Sequence, residues 1–248
     1  MADEFYIGWQ EEMPAGHARR VRGLLLALVL VGIGLAIVLA FFQRPFATAF
    51  FEFGVTRTFE GTVYTTPSPR LMVDAPGGAA ASWSLVGFGK HGAEADLDGI
   101  DGERIRLDGT LVYRDDQTML EVVGGSVERV DGPPRPAGQS VALGRHTVVG
   151  EIVDSKCWLG VMKPGAWKPH RACASLCIRG GIPPVLVVRD GGGSPVGHFL
   201  LTGSDGRAIH EEILDFVAEP VRVTGEVHVT DDLWHLEIDP STIERITS

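Results

Sequence analysis

Apolar residues run from Gly23 to Phe42, GLLLALVLVGIGLAIVLAFF, without one charged or polar side chain; through most of the 206 residues that follow they alternate with polar ones. Twenty apolar residues are about the length one helix needs to cross the hydrocarbon core of a bilayer. Alternation with a period of two marks half-buried strands. The pattern therefore predicts a transmembrane helix over 23–42, after an N-terminal segment 1–22, and a mainly β body behind it.

That body repeats itself. Shifted by 116 positions, Glu103–Val130 lies on Glu219–Ile246 without a gap, with nine of 28 residues identical and the apolar alternation in step. Each copy reads as a strand, a turn at Asp115-Asp116 or Asp231-Asp232, and a return strand, so the aspartates are expected as turn formers. Segments around Gly61 and Gly150 correspond upstream. Four or five strands with glycine-marked bends in such a length predict two tandem OB-like small antiparallel β-barrels, residues 43–131 and 145–248. The Pro- and Gly-rich stretch 132–144 joins them, and a short helix is expected near Ile209–Val217. From Gly61 to Gly109 is 48 residues, against 75 from Gly150 to Gly225, so the second copy has gained 27. The gain coincides with a Cys/His-bearing helical insertion at 155–183.

Charge orients the helix. Arg19, Arg20 and Arg22 precede the apolar run, whereas Arg44 and Arg57 follow it, which places the N-terminus in the cytoplasm and the barrels outside, in a bacterial periplasm. Ala47-Thr48-Ala49 has the pattern of a signal-peptidase site, but an apolar stretch of twenty exceeds the usual h-region, so a retained single-pass anchor is expected. Gly32, Ala36 and Ala40 recur every fourth residue and offer a small-residue face for a partner helix in a membrane complex. The exported part carries 19 Lys and Arg against 28 Asp and Glu, which disfavours nucleic acid as a partner. Within it, Ser155–Arg189 is a basic island with six Lys and Arg and no acid. Positive neighbours of this kind lower a thiol's pKa.

The only cysteines lie in that island. Pro169 suits the start of a helix and Gly180 its end, so a helix is expected over 169–179, with His170, Cys173 and Cys177 along one face. Cys157, in the preceding loop, completes a Cys3His donor set suited to a closed tetrahedral zinc site or to copper(I). A disulfide between Cys157 and Cys173 or Cys177 is the rival expectation in an oxidising compartment, and it leaves one thiol over. Covalent haem is not expected, because the order is His-x-x-Cys and not Cys-x-x-Cys-His. An iron-sulfur cluster is disfavoured by export without a twin-arginine signal.

Other residues rank lower. His228 and His235 should oppose each other on the polar face of the second hairpin, where the first copy has Val112 and Met119; two facing histidines could bind a metal, but a solvated strand face is the expectation. Trp158 and Trp167 bracket the loop before the helix, as shields for a metal or as packing for the insertion. No nucleophile elbow, phosphate loop or zinc-hydrolase motif is present.

The Cys-x-x-x-Cys pair with a histidine resembles copper sites of cytochrome oxidase assembly proteins and, more loosely, the dinuclear copper segment of oxidase subunit II. Ile178-Arg179-Gly180-Gly181 stand where that segment has a histidine and a methionine. The wider stretch Gly150-Glu151-Ile152-Val153-Asp154, Cys157, His170, Cys173-Ala174, Cys177 and Gly180-Gly181-Ile182-Pro183 resembles a group of bacterial exported or membrane-anchored β-barrel proteins. It spans about 35 of the 248 residues, and the group brings no established reaction with it. The expected function is a membrane-anchored periplasmic accessory subunit that binds zinc or copper through Cys157, His170, Cys173 and Cys177, within a larger membrane redox or respiratory complex. A closed donor set leaves no place for substrate, so a binding subunit is expected over an enzyme. The alternatives are a membrane-tethered thiol-disulfide protein working through Cys173 and Cys177, and a scaffold pinned by one disulfide.

Overall fold

The structure, a computed structural model, describes residues 13–42, 49–74 and 80–246. The chain divides into two compact units, Met1–Pro45 and Phe46–Ser248. In the first, helix α1 spans Ala15–Phe42 and is long and apolar enough to cross a membrane. It begins eight residues before the expected apolar run and so takes in Arg19, Arg20 and Arg22. Its 28 residues measure about 42 Å, longer than a hydrocarbon core, which leaves room for an arginine-bearing turn beyond the lipid tails. Gly32, Ala36 and Ala40 lie on this helix. Of the small-x-small motif, Ala47 and Thr48 fall outside the described residues, as do 1–12 of the N-terminal segment and Arg44.

The second unit holds both β domains. Strands β1 (Ala49–Phe51), β2 (Arg57–Tyr64), β3 (Arg70–Asp74), β4 (Ala80–Val86), β5 (Arg104–Arg114), β6 (Gln117–Val122) and β7 (Glu128–Arg129) form the first sheet. The ring β5-β2-β3-β4-β6 closes through β5–β6 pairing, with β4–β6 its one parallel pair, while β1 and β7 add to β5. Strands β8 (Val141–Asp154), β9 (Pro184–Arg189), β10 (Pro195–Thr202), β11 (Pro220–Thr230) and β12 (Leu233–Ile238) repeat the arrangement. They run β11-β8-β9-β10-β12, close through β11–β12, and have β10–β12 as the parallel pair, while β13 (Glu244–Arg245) adds to β11. Two five-stranded barrels of one strand order are in keeping with the OB-like expectation. β8 begins at Val141, inside the stretch read from the sequence as linker.

The repeat holds to single residues. Gly61 pairs with Ile105 and Gly150 with Val221, partners 116 positions apart. A Cβ on either glycine would lie 2.4–2.5 Å from a carbonyl of the neighbouring strand, Met72 O or Val187 O, so both bends need a bare backbone. Asp115 and Asp231 each take positive φ (53° and 57°) at the hairpin tips, a conformation aspartate tolerates better than most residues. The helix expected at Ile209–Val217 is reduced to turns and one 3-10 turn, Leu214–Phe216, that place Ile209, Ile213 and Val217 in the core.

Each barrel has its own core. Val63, Leu71, Leu85, Ile105, Leu107 and Leu120 fill the first, and Ile152, Leu186, Leu201, Val221, Val223 and Leu236 the second. A third apolar cluster lies between them. There Val86, Val112 and Met119 of the first barrel meet Cys157, Trp158, Leu159, Ala166, Cys177 and Ile182 of the insertion. The outer face of the β5–β6 hairpin is thus apolar because the insertion covers it. Burying each large aliphatic side chain there contributes about 1.5–3 kcal/mol.

Candidate metal centre between the barrels

The insertion leaves β8 at Asp154, a fully buried carboxylate. Its Oδ1 accepts the backbone N–H of Cys157 at 2.8 Å, which starts a single π-helical turn over Cys157–Val161. Its Oδ2 lies 3.0 Å from Nε2 of His170. The chain then passes a 3-10 turn, Lys168–His170, into helix α2, Arg171–Arg179. Helix α2 carries Cys173 and Cys177 one turn apart and faces them to Cys157. The three Sγ atoms lie within 4.8 Å of one another, and all three thiols are free.

His170 is placed differently from its expected stripe. It precedes the α-helix, is 4% exposed, and turns its ring to Asp154; donor atoms of Asp154, Cys157 and His170 also lie within 4.8 Å of one another. Cys157 therefore belongs to two overlapping groups, a trio of sulfurs and an Asp-His-Cys set. The three cysteines come together as one group, whereas His170 groups with Cys157 and with Asp154, a buried carboxylate that the sequence reading left without a role.

The charge beside the sulfurs comes from the other barrel. Lys90, in the loop after β4, donates from Nζ to Cys173 Sγ at 2.8 Å and to Cys177 Sγ at 3.6 Å. Its loop reads Gly87-Phe88-Gly89-Lys90-His91-Gly92, and the glycines let backbone approach backbone. Gly92 N–H donates to Gly180 O at 2.9 Å, and a Cβ on Gly180 would fall 1.9 Å from Lys90 O. Lys156, next to Cys157, is 1% exposed and reaches across to donate to Gly87 O and Gly89 O, both at 2.8 Å. It also pairs with Glu121 of β6. One buried lysine thus holds the loop that presents the other.

The basic island does not serve the thiols as its composition predicts. Arg171 pairs with Glu219, Arg179 with Glu211 and Arg189 with Glu151, so these charges are met by acids brought in by the fold. Lys90 supplies the positive field instead. A hydrogen bond from Cys157, with help from Lys90, holds Cys177 down at about 7 against burial and the charge of Asp154. Cys157 is pushed up, because it donates to Cys177, is buried and faces Asp154. Lys90 is raised by its bond to Cys173. The hydrogen bond from Cys157 and the charge of Lys90 both act to favour the thiolate form of Cys177.

The tryptophans divide. Trp158 is buried in the inter-barrel cluster with the guanidinium of Arg114 3.7 Å from its ring centroid, so it serves packing. Trp167 is half exposed, takes positive φ (66°), and donates its backbone N–H to the carboxylate of Glu151. His228 and His235 pair across β11–β12 as expected. The solvated face expected of them is corrected: His235 is 5% exposed.

Lys90 and Asp154 escape sequence reasoning for different reasons. Lys90 lies 83 residues from its sulfur partner, and only the unusual density of glycine around it marks the loop. Asp154 stands in the motif-bearing stretch, but its oxygens find Cys157 N–H and His170 only once β8 and the insertion are folded.

No known family profile matches the chain, and no curated protein matches it. Among solved structures it is similar to a deletion mutant of the single-stranded DNA binding protein from Thermus aquaticus, at 14% identity, covering 81% of this chain and 96% of that one, with a TM-score of 0.23. An overlap that loose carries no argument about function.

Proposed function

We propose that this chain is a membrane-anchored accessory subunit whose β domains hold one thiophilic metal ion, zinc or copper(I), between the barrels. The observation that carries the reading is the convergence of three sulfurs from two elements within 4.8 Å, at the apolar cluster between the barrels. Cys157, Cys173 and Cys177 would be the ligands, with His170 as a fourth. The contact of its Nε2 with Asp154 is the carboxylate–histidine arrangement that fixes a ring whose other nitrogen binds a metal. Three thiolates carry more charge than either ion neutralises, and Lys90 offsets the excess. Every donor comes from the protein, so the reading assigns the site to binding and not to turnover.

In this reading α1 crosses the inner membrane with its arginines in the cytoplasm and both OB-like barrels in the periplasm. Gly32, Ala36 and Ala40 would form the face that meets another subunit, in a membrane redox or respiratory complex. The test is metal analysis of full-length protein purified in mild detergent without oxygen. Zinc or copper content that falls by one equivalent in Cys173→Ser supports the reading, and copurifying membrane subunits lost on replacing Gly32 and Ala36 by Leu support the partner face.

A second reading has its own observation. Cys173 is partly exposed and Cys177, one turn away, is held at about 7, which suits a dithiol exchanging with a partner's disulfide. Alkylation and mass spectrometry separate the two. A metal thiolate site shows three modifiable thiols after chelation without reductant, whereas an oxidised pair needs reductant.

A further inference from the structure

The two barrels differ in chemistry at one equivalent place on their outer faces. In the first, Val112 pairs with Met119 across β5–β6, both are buried under the insertion, and Glu121 beside them meets the ammonium of Lys156. The positions 116 residues later are His228, His235 and Glu237. The β11–β12 register places His228 opposite His235, with Glu237 two residues along on the same face. The imidazole rings stack, with centroids 4.9 Å apart and planes 11° from parallel. Both present Nε2 to the one carboxylate, His228 at 3.9 Å from Oε2 and His235 at 3.7 Å from Oε1.

These separations are too long for hydrogen bonds. They are longer than the about 3.3 Å between donors that lie about 2.0–2.1 Å from a tetrahedral metal, and because the rings stack, one must turn for both lone pairs to meet one ion. Donor atoms of all three residues lie within 4.8 Å of one another. The carboxylate that a lysine neutralises in one barrel thus faces two imidazoles in the other. The side chains of His228 and Glu237 are 21% and 27% exposed, which leaves an entry path.

We propose that His228, His235 and Glu237 form a second metal site, distinct from the cysteine cluster, that takes a divalent transition ion such as zinc through two imidazoles and a carboxylate. Nitrogen and oxygen donors of this mix suit zinc and the neighbouring ions of the first row, and not the copper(I) that a thiolate trio accepts. With three protein ligands the coordination is incomplete, so water or a partner's side chain would complete it.

The test is equilibrium dialysis of full-length protein in detergent against zinc, with cobalt(II) absorption as a second readout, comparing wild type with His228→Val/His235→Met. That variant carries the residues the first barrel already accommodates in the same place. Wild type is expected to bind one equivalent more than the variant, and cobalt in that extra site should lack sulfur charge-transfer bands. A Glu237→Gln variant, which conserves shape, should weaken this site at least about tenfold and leave thiolate-bound cobalt unchanged. Equal stoichiometry in wild type and the double variant, or unchanged affinity in Glu237→Gln, overturns the proposal. Because the readout is the non-sulfur equivalent, failure of the cysteine site leaves the test intact.

Discussion

The Nζ atom of Lys90 lies 2.8 Å from the Sγ atom of Cys173, so a cation from one barrel rests on a thiol from the other. Neither barrel alone holds both the sulfurs and the charge that suits them. Docking of the barrels and chemistry of the cluster are therefore one structural event.

Replacing Lys90 by Met should slow alkylation of the cysteines at neutral pH. A partly exposed charge contact is worth up to about 1 kcal/mol, or about fivefold in thiolate fraction. Iodoacetamide kinetics on metal-free protein check this, and unchanged rates would remove Lys90 from the site. The thermal midpoint should move little.

Gly180→Ala should be costly in stability although position 180 is only the end of a helix. Its Cβ would sit 1.9 Å from Lys90 O, so the 87–92 loop must retreat. Overpacking of this kind costs about 1–3 kcal/mol. Calorimetry should show the loss, and hydrogen exchange should quicken first at Gly92, whose N–H bonds Gly180 O.

Lys156 and Glu121 form a buried pair, with side chains 1% and 12% exposed. Lys156→Met alone leaves an uncompensated carboxylate and should cost about 3–5 kcal/mol, whereas adding Glu121→Gln should recover much of it. Urea unfolding of the two single variants and the double variant measures the coupling. Additive losses would show that the pair does not join the barrels.

These three contacts also mark where sequence reading stops. The strands, their 116-residue repeat and the opposition of His228 to His235 were legible because register follows alternation and turn position, which are local. The grouping of three cysteines followed from helical spacing plus one loop residue. What the loop of Lys90 touches is set by barrel-on-barrel docking, which no periodicity records. The same docking explains why the outward positions Val112 and Met119 are apolar. The basic island misled because net charge along a segment says nothing of the acids that folding brings to it, such as Glu219 for Arg171 and Glu151 for Arg189.

Acid should weaken the fold through His198. Burial, with Arg114 nearby, lowers its pKa from the ordinary 6.5, against an opposing pull from Asp116. The unfolded chain then takes up the proton first, so its contribution is intact above about pH 6.5 and declines as pH falls below that value. His198→Gln should flatten the stability profile in that window. An unchanged slope would assign the acid sensitivity elsewhere.

The most direct measurement of the central claim is X-ray absorption at the zinc and copper edges on anaerobically purified full-length protein. In the His228→Val/His235→Met variant, which keeps only the cysteine site, zinc is expected to be surrounded by three sulfurs at about 2.3 Å and one lighter donor. Metal-free protein in which Cys173 and Cys177 are joined as a disulfide would contradict it.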